Sequence, residues 1–278
     1  MLHALDLAAV LLVITVIVGL LLSYAGRVAL RGRARSERIE QAGGSALLGK
    51  GLLEFGYWML SPPGRLLARG GVTPNMISWT SLALAAVAGA ALAAGLYGFA
   101  CLAAVVSGFL DSLDGMVARL TGRSSAAGEV LDATVDRYAE ALFCGGVAVR
   151  FHDHPALVAI ALSALTACFM VSYSTAKAEA MDIDPPTGLM RRQERAVYLT
   201  LGAGFTALLS PWIDQSIHWP GIDLPMVVAL ALVGVIGNLS AVLRMRSLAR
   251  SLRRRDGLAP SPSTLPSGSP EPQEAGRH

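Results

Sequence analysis

Apolar residues in this chain gather into runs of about 20, each closed by a short polar break, and a run of that length crosses a bilayer as a single helix. The first covers residues 5–24; six more follow at about 75–97, 98–120, 129–150, 155–177, 190–210 and 222–246. Of the 278 residues, 53% are hydrophobic and 15% charged, a balance that excludes an ordinary soluble domain. Aromatics are scarce at 6%, whereas glycine (29 residues) and alanine abound, so helices can approach closely. The expected fold is an all-α integral membrane protein: a six-helix transmembrane bundle with a preceding interfacial amphipathic helix and an extra N-terminal transmembrane anchor.

The first run reads as a retained anchor rather than a cleaved signal. No Lys or Arg precedes it, and Arg27, Arg31, Arg33, Arg35 and Arg38 follow it in place of a small-residue cleavage site. Beyond it, Leu47, Leu48, Leu52, Phe55 and Met59 recur at near-helical spacing beside Lys50 and Glu54. That pattern predicts an amphipathic helix in the interface, broken at Ser61-Pro62-Pro63-Gly64. After Arg253 the chain turns Pro/Ser-rich, which predicts a disordered tail. The expected units are an anchor (1–26), a basic linker with the juxtamembrane helix (27–72), the six-span core (73–250) and a cytoplasmic tail (251–278).

Charge gives the orientation. If the spans alternate, 21 of the 23 Lys and Arg residues fall in segments on one side of the membrane; Arg150 is the only one in the opposite loops, and Arg277 lies in the tail. Positive residues stay inside, so the segments around 119–137, 177–195 and 244–255 are expected to face the cytoplasm.

One of those segments carries four aspartates. Asp111 and Asp114 are three apart and Asp132 and Asp136 four apart, so each pair shares one helix face. The link over residues 120–127 is short, which predicts adjacent antiparallel helices whose Asp faces converge. A carboxylate at membrane depth costs roughly 2.5–3.5 kcal/mol on insertion scales, so four of them need a reason. Their mutual repulsion asks for divalent cations, and oxygen donors without His or Cys suit Mg²⁺ or Mn²⁺. Mg²⁺ held this way completes its shell with phosphate oxygens, which points to pyrophosphate chemistry. Gly115, Ala118 and Gly128 are small where a substrate could press in, and Arg119 is a planar donor suited to phosphate.

The whole pattern, D-x2-D-G-x2-A-R-x8-G-x3-D-x3-D, resembles the signature of the CDP-alcohol phosphatidyltransferase family without a departure. Thr73-Pro74-Asn75 is similar to that family's entry into its first core span, and the likeness extends over about 45–250. The resemblance implies transfer of a phosphatidyl group from a CDP-linked lipid, CDP-diacylglycerol, to a small polar alcohol with release of CMP. It implies that Asp111, Asp114, Asp132 and Asp136 ligate two Mg²⁺ or Mn²⁺ ions and that Asp136 is the general base. Asp111, Asp114, Gly115, Ala118, Arg119 and Gly128 would bind the CDP moiety. A homodimer in the inner membrane, with lipid and no nucleic acid as partner, is expected with it.

A second segment bears on the acceptor. Ser172-Tyr173-Ser174-Thr175-Ala176-Lys177-Ala178-Glu179 and Arg191-Arg192-Gln193-Glu194-Arg195 resemble the inositol-phosphate-using branch of the family. Thr175 stands where that branch has Lys, Lys177 where it has Arg, and Arg191 where it has Glu. The implied acceptor residues are Ser172, Thr175, Lys177, Arg191, Arg192 and Arg195, with inositol 1-phosphate and free inositol both open. Arg137 follows the last Asp, where the glycerol-phosphate-using branch typically has Lys.

Smaller features are assigned lesser roles. His152-Asp153-His154 reads as loop surface, and the three cysteines, lying in apolar runs without metal spacing, read as packing residues. Glu140 either orients a neighbour or sits protonated in the core, and Asp6 needs no function near the interface. The alternatives are phosphatidylglycerophosphate synthesis by the same chemistry and, in a different class, a cation-coupled transporter. The eight fixed positions over 26 residues favour the enzyme.

Overall fold

The computed structural model describes residues 1–32, 50–184, 188–217 and 223–258. Arg33, Arg35, Arg38, Leu47, Leu48 and the Pro/Ser-rich tail beyond Leu258 lie outside them. The described residues form helices and no strand: α1 (Leu2–Arg31), α2 (Lys50–Arg69), α3 (Pro74–Ala93), α4 (Tyr97–Leu120), α5 (Ala126–Arg150), α6 (Pro155–Ala180), α7 (Arg192–Ile217) and α8 (Leu224–Leu258). The all-helical membrane fold expected from the apolar runs is what forms.

Among the described residues, α1, α3, α4, α6 and α8 are long and apolar enough to cross a membrane. α5 and α7 have comparable lengths, 25 and 26 residues, but carry charge along the way, including Asp132, Asp136 and Glu140 on one and Arg192, Glu194 and Arg195 on the other. The first and last helices exceed expectation. α1 runs through Arg31 and α8 continues to Leu258, some three turns past the end of its apolar run.

The predicted break at Ser61-Pro62-Pro63-Gly64 does not occur. α2 continues through both prolines to Arg69. Proline forfeits its own N–H and crowds the preceding turn, costing about 3 kcal/mol in a helix interior. Here packing holds the helix in place. Leu60, Leu67 and Ala68 lie on a cluster of Ile77, Leu113 and Val117 from α3 and α4, and the bare Cα of Gly64 faces Met116, whose Sδ would lie 2.8 Å from a Cβ there. At its other edge Tyr24 of α1 stacks edge-on against Phe55 with centroids 5.5 Å apart and hydrogen-bonds Glu54 at 3.2 Å.

The arrangement of α3, α4 and α5 departs from the sequence reading in an informative way. The short link predicts that α4 and α5 lie side by side. Instead, both pack along α3 and make almost no approach to each other outside their Asp-bearing ends. Reciprocal Ser81–Ser107 contacts join α3 to α4, at 3.0 and 2.8 Å to the backbone carbonyls. Gly89 and Gly146 join α3 to α5: a Cβ on Gly146 would lie 2.9 Å from the Gly89 Cα, so only glycine permits that crossing. α3 is therefore a strut inserted between the two Asp helices. The rest of the bundle closes around them, with α6 against α8, α7 against α4 and α8, and α1 against α4.

Asp6, expected to be idle, is buried, and its carboxylate accepts the Phe99 N–H at 2.9 Å. It caps the first turn of α4, whose own N-cap residue, Leu96, offers no side-chain acceptor.

Candidate active site

The α3 strut and the two helices packed on it leave a cleft of about 490 Å³ between the ends of α4 and α5. Pro74, Asn75 and Ser78 of α3 form one wall, Asp114, Gly115, Ala118 and Arg119 of α4 a second, and the turn from Arg123 to Glu129 with Asp132 a third. All four small or cationic positions expected at a nucleotide, Gly115, Ala118, Arg119 and Gly128, line this cleft. Gly115 leaves room for the Arg119 guanidinium, which would lie 3.3 Å from a Cβ at that position. Ser125 caps α5, its hydroxyl accepting the Gly128 N–H at 3.1 Å. The cleft thus meets the N-terminus of a 25-residue helix, an end that favours phosphate.

Asp114 and Asp132 line the cleft, and with Asp111 beside them they bring one carboxylate oxygen each to within 4.8 Å of one another. Three hard oxygen donors without His or Cys fit Mg²⁺ or Mn²⁺. Asp114 is buried and accepts the Ser78 hydroxyl at 2.6 Å, which fixes its orientation and leaves the other oxygen for a cation. Ser78 carried no signal in the sequence; only the approach of α3 to α4 makes it a neighbour.

Asp136, expected as the fourth ligand, stands apart from that triad. It is 5% exposed and pairs with Arg192 of α7, which also reaches Asp111 at 3.1 Å, while Arg137 lies 3.4 Å away. One turn further along α5, Glu140 bonds Arg195 at 3.1 Å and Arg137 at 3.3 Å. Of the two readings of Glu140, this favours the orienting one. Arg195 is 1% exposed and also lies 3.5 Å from the Ser172 hydroxyl and from the Cys168 carbonyl of α6. Ser172, Arg192 and Arg195 therefore gather beside Asp136.

Of the other expected acceptor residues, Thr175 accepts a hydrogen bond from Arg244 of α8 at 3.2 Å. Lys177 is half-buried, and the Arg191 side chain is exposed while its N–H donates to Glu194 at 2.9 Å. Arg244 had been counted only among the residues that orient the chain in the membrane. Its distance in sequence from the acceptor segment hid it; α8 packing along α6 brings it there. His152-Asp153-His154 is exposed, with His152 and Asp153 3.2 Å apart, as expected of loop surface.

Known proteins are similar to this chain over most of its length. The profile of the family described as CDP-alcohol phosphatidyltransferase matches residues 71–243. The phosphatidylinositol phosphate synthase of Streptomyces avermitilis is 31% identical over 236 residues, covering 82% of this chain and 92% of the relative. The archaetidylinositol phosphate synthase of Methanothermobacter thermautotrophicus is 32% identical over 173 residues, 62% of this chain and 80% of its own length. Among solved structures, the phosphatidylinositol phosphate synthase of Mycobacterium tuberculosis with CDP-DAG bound superposes with a TM-score of 0.58 at 25% identity, covering 68% of this chain and 92% of that one. The same protein in complex with manganese and citrate gives 0.60 at 26% identity, covering 68% and 88%. The chain is a helical membrane transferase and belongs to the CDP-alcohol phosphatidyltransferase family.

Proposed function

We propose that this protein transfers the phosphatidyl group of CDP-diacylglycerol to inositol 1-phosphate, releasing CMP. The observation that carries the reading is the cluster of Asp111, Asp114 and Asp132 at the edge of a cleft lined by Gly115, Ala118, Arg119 and Gly128. The names of the relatives and the Ser172–Arg195 cluster next to Asp136 support the acceptor.

In this reading the cleft takes the cytidine and pyrophosphate. Asp111, Asp114, Asp132 and, once Arg192 turns away, Asp136 hold two Mg²⁺ or Mn²⁺ ions. The ions, when bound, neutralise the pyrophosphate and the charge that develops on departing CMP. Arg119 donates to the donor's phosphates as a planar pair of N–H groups. Ser172, Thr175, Lys177, Arg191, Arg192 and Arg195 hold the acceptor. Asp136 takes the proton from the acceptor hydroxyl as its oxygen bonds to the phosphatidyl phosphorus. The bond from that phosphorus to the CMP oxygen breaks, and CMP leaves as the anion. A carboxylate is a weak base for an alcohol, so most of the acceleration comes from alignment.

The same reading keeps six core spans, α3 to α8, with α1 as a further anchor, the reacting end on the cytoplasmic side of the inner membrane, and a homodimer. The Lys/Arg asymmetry and the small residues support it. The deciding experiment gives the purified protein CDP-diacylglycerol with inositol, inositol 1-phosphate, glycerol 3-phosphate or serine, and follows CMP. Release with inositol 1-phosphate is expected; release with neither inositol acceptor overturns the assignment.

A further inference from the structure

A second cavity, of about 290 Å³, lies between α2 and α4. Tyr57, Ser61 and Arg65 of α2 line one side of it, and Met116, Arg119 and Leu120 of α4 the other. Residues four apart share a helix face, so the three from α2 form one stripe. That stripe exists because α2 runs on through Pro62 and Pro63; a break there would part Arg65 from Tyr57. Gly64, bare against the Met116 side chain, lets α2 settle close on α4 and gives the cavity its floor.

The lining is cationic and holds no acid. Among the described residues neither Arg65 nor Arg119 forms an ion pair. The Ser61 hydroxyl is turned to the Tyr57 carbonyl, to which it donates at 2.5 Å. The donors left for a ligand are the Tyr57 hydroxyl and the two guanidinium groups, whose planar forks suit a phosphate. The rim is apolar: Leu120 is 51% exposed, and Leu66, next to Arg65, is 72% exposed. A soluble anion makes no use of such a rim, whereas a phospholipid lays its acyl chains along it and turns its phosphate inward.

Arg119 belongs to both cavities. It lines this one and the cleft beside the aspartates, where its Nη1 would lie 3.3 Å from a Cβ on Gly115. An anion in the second cavity therefore draws on the guanidinium that the donor's phosphates also need.

We propose that the cavity between α2 and α4 is a second lipid site, which holds the phosphate of an anionic phospholipid on Arg65, Arg119 and Tyr57 and competes with the donor for Arg119. The site stands on its own lining; its effect on turnover rests on the transferase reading above. The product of that reaction is itself an anionic phospholipid, so its accumulation in the surrounding leaflet would slow the enzyme that makes it.

The test compares the full-length protein with Arg65→Gln and Arg65→Lys, using phosphatidylglycerol as the anionic probe and phosphatidylcholine as the neutral one. Native mass spectrometry in neutral detergent reads the bound lipid without any need for turnover. Phosphatidylglycerol should bind, phosphatidylcholine should not, and Arg65→Gln should weaken the binding by about tenfold, as for one lost charge-assisted contact. Arg65→Lys should bind better than Arg65→Gln. Equal retention of phosphatidylglycerol by all three proteins overturns the site. Inorganic phosphate that displaces the lipid at comparable concentration overturns the lipid assignment in favour of a soluble anion. The second readout is KM for CDP-diacylglycerol in nanodiscs. In phosphatidylcholine alone, Arg65→Gln should leave it unchanged. Added phosphatidylglycerol should raise it several-fold for the unsubstituted enzyme and less for Arg65→Gln; the surface charge acts on both alike, so the difference reports the site. A raised donor KM for Arg65→Gln in phosphatidylcholine alone would place Arg65 in the donor's own site and overturn the proposal. A protein that releases no CMP with any acceptor, yet binds phosphatidylglycerol through Arg65, refutes the transferase reading and leaves the lipid site standing.

Discussion

The two ends of the bundle hold charge in opposite ways. At one end, Tyr97 of α4 donates to Asp223 at 2.6 Å, and Arg150 of α5 reaches the same carboxylate at 3.3 Å. One acid, one base and one phenol close a set that ties α4 and α5 to the start of α8. At the other end, Asp111, Asp114 and Asp132 stand together with Arg192 bonded to Asp111 alone among them, and Arg195 and Arg244 keep buried nitrogens without acceptors. Both ends draw on acids and arginines, and α4 and α5 contribute to each. The set that satisfies itself has only a structural task. The set that leaves charge over on both sides, acids at one edge and bases at the other, is built around something that is not protein.

The sharpest break in that comparison is chelation. EDTA should reduce CMP release to background, and Mg²⁺ or Mn²⁺ should restore it; transfer that persists in EDTA would remove the metal role of the triad. Asp136→Asn comes next. It should lower kcat by about 10²–10⁴, the range of general base catalysis, while CDP-diacylglycerol still binds. A titration in which it loses the donor as fully as Asp111→Asn does would reassign Asp136. Gly146→Ala probes the strut: the added Cβ meets the α3 backbone, so thermal unfolding should reveal a loss of about 1–3 kcal/mol. Unchanged stability would mean that α3 and α5 can separate freely. The smallest effect belongs to the closed end. Tyr97→Phe removes one hydrogen bond and should cost about 1 kcal/mol of stability, with KM for both substrates unchanged. A change in acceptor KM would show that the two ends are coupled.

Asp111, Asp114 and Asp132 come together as their spacing suggested, because that part of the signature is local. Residues three and four apart share a helix face whatever the tertiary fold, and the apolar runs place those helices. What the sequence concealed was lateral order. A short link suggests that α4 packs on α5, yet the Gly89–Gly146 crossing and the Ser81–Ser107 pair draw both onto α3 and open the cleft. Ser78 and Arg244 were missed for the same reason, since each acts across a helix contact that no spacing announces. The double proline misled in the other direction: its local penalty is real, but the packing of Leu60 and Leu67 on α3 and α4 outweighs it. Glu140 was half read, as a position on the right face whose partner lay on an unseen helix.

The α3 strut has a consequence for how such a chain can change. Because α3, α4 and α5 form the cleft and its acidic triad among themselves, that part of the molecule can be inherited as a block. Thr175, Arg195 and Arg244 come from α6, α7 and α8, and Arg191 directly precedes α7. Under the proposed roles, substitutions confined to the second half of the gene would exchange one alcohol for another while the first half keeps its donor. A designer seeking a new lipid head group would leave residues 74–150 alone and randomise the arginines.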